Sequence, residues 1–80
     1  MKYQCYCCGY YSLEENPEDP TFEICPICFW ENDPIQNSDI DYYGGANHIS
    51  LREARENYIK IGAMSEQFKK NVREPLDSEK

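Results

Sequence analysis

No stretch of this chain is apolar over the roughly 18 residues that a spanning helix needs, so a membrane-spanning helix is excluded and no membrane is expected among its partners. Histidine occurs once, at His48, and glycine four times. There is no Ser-His-Asp constellation, no HExxH helix and no glycine-rich phosphate loop, so the expectation is that the chain is not an enzyme. Bases are scarce too. Eight Lys and Arg stand against fifteen Asp and Glu, for a net charge of -7. The deficit is local: residues 1–47 hold nine acids and one base, Lys2, whereas residues 48–80 hold seven bases and six acids. Such a surface repels phosphate backbones and attracts basic partners. Apolar residues are also limited, at 40% of 80 with a mean hydropathy of -0.84. One thin-cored domain fits that length, and a domain of this size commonly needs a metal or disulfides as a staple.

Cysteine is what the chain does have, five times within residues 5–28. Met1-Lys2-Tyr3-Gln4-Cys5 lacks the apolar core of a secretory signal, so a reducing, cytoplasmic setting is expected. There, paired cysteines serve metal binding better than disulfides. Cys5-Tyr6-Cys7-Cys8 and Cys25-Pro26-Ile27-Cys28 form the pattern C-x2-C-x16-C-x2-C, within the spacing that reads as a zinc site. Two residues between cysteines let a tight turn aim both sulfurs at one ion. Gly9 permits a close backbone approach after the first pair, and Pro26 pre-sets a backbone angle in the second. Cys5, Cys8, Cys25 and Cys28 are therefore the expected ligands of one Zn²⁺ per chain. Iron is the rival, because CxxCGY with CPxC also resembles rubredoxins and tetrahedral sulfur suits both metals. The shorter hairpin spacing and the helical second half favour zinc. Cys7 reads as a spare thiol or as a substitute for Cys5 or Cys8. His48 reads as a surface residue, and Phe29-Trp30 as cover for the metal's apolar shell.

The expected fold is a small α+β metal-stapled domain: a zinc-ribbon β-hairpin followed by one or two helices packed on it. Over residues 1–80, treated as a single domain, residues 1–33 form the ribbon. Tyr10–Leu13 and Thr21–Ile24 are its strand candidates, joined by the acidic, proline-bounded turn Glu14–Pro20. Residues 34–49 show no sustained period and read as a wrapping loop. Ser50-Leu51-Arg52-Glu53 is a capping box that opens a helix over 50–62, with Leu51, Ala54, Tyr58 and Ile61 on one face and Gly62 as its stop. A short helix over 65–74 carries Phe68 and Val72, and residues 75–80 read as a tail. No internal repeat is visible.

Cys5-Tyr6-Cys7-Cys8-Gly9-Tyr10, Ile24-Cys25-Pro26-Ile27-Cys28-Phe29-Trp30-Glu31, Gly44-Gly45-Ala46-Asn47, Ser50–Arg55, Gly62-Ala63 and Val72–Leu76 together resemble the bacterial cysteine-rich CPCC family. Tyr6 replaces that family's name-giving proline. Met64 stands where relatives often carry another cysteine, so any pairing with the Cys7 position is lost here. The resemblance implies a small zinc-ribbon group with no established chemistry, and proximity of some members to bacterial toxins suggests an immunity role.

Three function classes follow. The first is a non-catalytic zinc-binding module for protein interaction, in its sharpest form an immunity or inhibitor protein against a basic toxin. The second is a nucleic-acid-binding zinc ribbon using Arg52, Arg55, Lys60, Lys69, Lys70 and Arg73. Net charge and interleaved glutamates weigh against it. The third is an iron electron carrier. A basic protein is the expected partner, and the sequence does not fix the oligomeric state.

Overall fold

A computed structural model describes residues 2–80. Strand β1 (Tyr3–Gln4) pairs antiparallel with β2 (Tyr11–Leu13), and the turn between them is the first knuckle. The ribbon is thus built differently from the expected hairpin. Tyr10–Leu13 does supply a strand, but its partner precedes Cys5, and Thr21–Ile24 forms no ladder with it. Only Ile24 bridges, antiparallel to Glu31, across the second knuckle. One cause is Phe22, which sits at φ 54 and so breaks the extended backbone of that segment. Another is that side chains hold the acidic turn instead of a ladder. Glu23 accepts from the backbone N–H groups of Glu14 and Glu15 at 2.8 and 3.1 Å. The buried Asn32 amide donates to the carbonyls of Pro17 and Asp19 at 3.1 and 3.3 Å.

A hidden repeat emerges. Cys5 N–H donates to Tyr10 O and Gly9 N–H to Cys5 O, at 2.9 and 3.0 Å. Shifted by twenty residues, Cys25 N–H donates to Trp30 O and Phe29 N–H to Cys25 O, at 3.0 and 2.8 Å. The bridges Gln4↔Tyr11 and Ile24↔Glu31 obey the same shift. The sequence hides this because only the cysteines coincide in type. At the shared turn position, Gly9 has φ 82 and Phe29 has φ 73. A non-glycine residue is strained there. Phe29 is held by stacking on Phe68, with ring centroids 4.4 Å apart.

Residues 34–49 are more ordered than a plain loop. Asp33 caps a short helix α1 (Pro34–Ser38), accepting from Ile35 N–H at 2.9 Å with Pro34 in the first turn. Gln36, fully buried, donates to the carbonyls of Tyr42 and Ile49 at 3.0 and 2.9 Å. Asn47 behaves like a strand residue: its amide accepts from Glu31 N–H at 2.9 Å and donates to Glu31 O at 2.8 Å. Gly45 makes this packing possible, since a Cβ there would lie 2.5 Å from Asp33 Oδ2 and 2.7 Å from Gln36.

Helix α2 (Leu51–Ile61) starts at Ser50, whose hydroxyl accepts from Glu53 N–H at 3.2 Å, and stops at Gly62 in the left-handed region. The capping box is only half formed, because Glu53 accepts from the Tyr43 hydroxyl at 2.7 Å and does not return to Ser50. Leu51 and Ala54 are fully buried, and Tyr58 meets Tyr10 edge to face at 6.3 Å. Each large side chain buried this way contributes about 2 kcal/mol. The expected second helix is a 3₁₀ segment, Glu66–Asn71, and the expected tail contains a 3₁₀ turn, Asp77–Glu79. Arg73 grips the buried Glu79 carboxylate through both terminal nitrogens, at 2.8 Å each.

Candidate metal centre

Each knuckle is positioned from outside by the second half of the chain. Arg55 on α2 donates through Nε to Tyr6 O at 2.8 Å, which fixes the first knuckle. Met64 N–H donates to Cys28 O at 2.8 Å and Arg73 N–H to Pro26 O at 3.2 Å, which fix the second. Trp30 lies beneath that knuckle, 1% exposed, with its indole N–H donating to Asn37 Oδ1 at 3.0 Å.

The result brings the Sγ atoms of Cys5, Cys8, Cys25 and Cys28 within 4.8 Å of one another. Cys5 and Cys28 are 3.6 Å apart, and Cys8 and Cys25 are 3.8 Å apart. A tetrahedron with metal–sulfur bonds of about 2.3 Å has edges of about 3.8 Å, so the four sulfurs fit a tetrahedral ion. Three backbone N–H groups point at the sulfurs: Cys7 to Cys5, Ile27 to Cys25 and Trp30 to Cys28, each at 3.4 Å. The first two again differ by twenty residues. Hydrogen bonds from Cys28 first, then from Cys5 and Cys8, push Cys25 far below the usual thiol range. Cys28, Cys8 and Cys5 are pushed up, each first by its hydrogen bond to Cys25. A divalent ion held by these four residues would bind all of them as thiolates.

Ser12 is the residue that sequence reasoning missed. Its hydroxyl, 2% exposed, lies 2.9 Å from Cys25 Sγ and can donate to the thiolate. Strict alternation would send Ser12 and Leu13 to opposite faces. A register shift between Tyr3 and Gln4 leaves Ser12 opposite no partner, and both residues turn inward. The other assignments divide. Cys7 stands outside the cluster, but it is 8% exposed and occupies the packing position of Ile27, so it is no freely accessible thiol. His48 is exposed, against the edge of Phe68 at 5.9 Å. Met64 is buried in the core. Of the acids flanking the second knuckle, Asp33 is buried as a cap that also accepts from Ala46 N–H at 2.8 Å, so it offers nothing to a partner.

Comparison with known proteins adds one result. Residues 3–79 match the family model described as Cysteine-rich CPCC. No curated protein matches the chain.

Proposed function

The chain belongs to the cysteine-rich CPCC family, and from that premise we propose that it is a non-catalytic protein-interaction module stapled by one zinc ion on Cys5, Cys8, Cys25 and Cys28. The observation that carries this reading is the set of four sulfurs at tetrahedral spacing, three of them buried and three of them facing backbone N–H donors. Four protein ligands close a zinc site and leave no position for water or substrate, which supports a structural role. No helix among the described residues is long and apolar enough to cross a membrane.

The partner in this reading is a basic protein, and inhibition of a basic toxin is its sharpest form. Glu15, Glu18 and Asp19 are exposed on a turn that Glu23 and Asn32 hold fixed, so little entropy is lost on docking. Nucleic acid fits less well. Lys2, Arg52, Lys69, Arg73 and Lys80 already form ion pairs with Glu14, Asp41, Glu66, Glu79 and Asp77.

Elemental analysis tests the metal: one zinc per chain supports the reading, whereas iron with a red colour moves the chain to electron transfer. The acidic face is tested with Glu15→Lys and Asp19→Lys, whose side chains make no hydrogen bond within the described residues. A protein partner that co-purifies with the tagged chain should bind this variant more slowly and with weaker salt dependence. An unchanged association rate removes the acidic turn from the interface.

A further inference from the structure

The four ligand sulfurs do not share donors equally. Cys25 faces two, the Ile27 N–H and the Ser12 hydroxyl, while Cys5 and Cys28 face one N–H each. Cys8 faces no backbone or hydroxyl donor among the described residues, since the Tyr10 N–H does not repeat the bond that Trp30 makes to Cys28. Exposure follows the same order. Cys5, Cys25 and Cys28 are at most 2% exposed, whereas Cys8 is only partly buried. Above it opens a groove of about 560 Å³, walled by Tyr3, Tyr6, Gly9, Glu18 and Arg55 with Cys8 in its lining.

We propose that Cys8 is the nucleophilic corner of the metal centre, a modification site at which a metal-bound thiolate reacts with uncharged soft carbon electrophiles entering this groove. The proposal rests on the metal reading above. The physical basis is competition for the sulfur lone pairs. A coordinated cysteine stays deprotonated at neutral pH, and each donated N–H or O–H withdraws electron density from it. Among the described residues, Cys8 is the one ligand of the four that faces no such donor, and it is the one that is only partly buried. Cys5 and Cys7 also line the groove, but Cys5 is 2% exposed and faces the Cys7 N–H, and Cys7 is 8% exposed and stands outside the cluster. In the reaction a Cys8 Sγ lone pair forms a bond to the electrophilic carbon. The bond from that carbon to its leaving group breaks, and the leaving group departs as an anion with the electron pair. The product is a neutral thioether, a poorer ligand, so the centre loses one negative charge and holds its ion less tightly. Tyr3 and Tyr6 give the groove aromatic walls for an uncharged carbon skeleton. Arg55 uses only Nε on Tyr6 O, which leaves its other N–H groups for the departing anion.

The test uses the intact zinc-loaded protein, its metal content measured first, with limiting iodoacetamide as the electrophile. Peptide mass spectrometry should find the first carbamidomethyl group on Cys8, at a rate about tenfold or more above Cys5, Cys25 and Cys28, the effect of roughly one charge-assisted hydrogen bond. A chromogenic chelator should register zinc release that follows this modification. A Cys7→Ser variant should label at Cys8 at the same rate. First modification at any other cysteine of the loaded protein, Cys7 included, overturns the proposal and leaves the metal reading standing. A purified protein that holds no metal overturns both.

Discussion

Gly9 and Phe29 occupy the same place in the two knuckles, yet one is an exposed glycine and the other a half-buried aromatic ring in a strained backbone. The contrast extends to everything around them. Behind the second knuckle lie Ile27, Trp30 and Met64, each at most 1% exposed, and two of its carbonyls accept from the C-terminal half. The first knuckle is open to a groove and held by one Arg55 hydrogen bond. An identical turn can therefore serve as a core element or as a surface element, depending on the chain packed behind it. Here the second knuckle is the anchor and the first is the one accessible to solvent.

The strongest way to break this comparison is to remove one sulfur from each side. Structural zinc contributes about 10–16 kcal/mol in small modules, as much as or more than a typical domain's whole stability. Cys25→Ser removes a fully buried sulfur that faces both the Ser12 hydroxyl and the Ile27 N–H, so it should unfold the chain as seen by circular dichroism. Cys8→Ser should keep helix α2 when zinc is in excess, because water can reach that corner. If the two variants melt alike, the knuckles are equivalent. Next in size is Ser12→Ala, which leaves Cys25 without its hydroxyl donor. A loss of about 1–2 kcal/mol in zinc affinity is expected from competition with a chelator.

Smaller effects sharpen the comparison at the shared turn position. Gly9→Ala should cost about 1–2 kcal/mol for the left-handed backbone. Phe29→Gly removes that strain and also the stack on Phe68. A double-mutant cycle with Phe68→Ala should give a coupling of about 0.5–1.5 kcal/mol, measured by thermal melts. The last effect is set by pH and concerns the clamp on the second knuckle. The hydrogen bond from Arg73, then that from Leu76 N–H, pulls the Glu79 carboxyl down from 4.5 to about 2. The folded chain therefore binds this proton more weakly than the unfolded one. The pair's contribution is complete above pH 4.5 and disappears as pH falls toward 2. Carboxyl NMR titration should give a midpoint below the ordinary glutamate value, returning toward it in Arg73→Ala.

Much of this was legible because it depends on local chemistry. Ser50 and Gly62 bound α2 as their side-chain properties require, and cysteine spacing alone identified which sulfurs meet. Asp33-Pro34 is equally local, a cap followed by a first-turn proline, but the five helical residues after the cap are too few to show a period. The ribbon's strand pairing was not legible. Its partners are set by a bulge at Ser12 and by the side chains of Glu23 and Asn32, which replace a ladder that propensity alone would have drawn. Nor could the buried amides be foreseen, since Gln36 and Asn47 stand among polar neighbours and differ from them only in what packs over them.

Asn47 has a consequence for how copies of this chain meet. The outer edge of the second knuckle would otherwise present the free N–H and C=O of Glu31, a template for pairing with a neighbouring strand. One side-chain amide occupies both groups, at 2.9 and 2.8 Å. A sheet edge is thereby closed by a single residue, without a strand, a proline or a charged side chain. Asn47→Ala would reopen that edge beside the exposed Ile24 and Phe22, turning an acidic chain toward edge-to-edge aggregation.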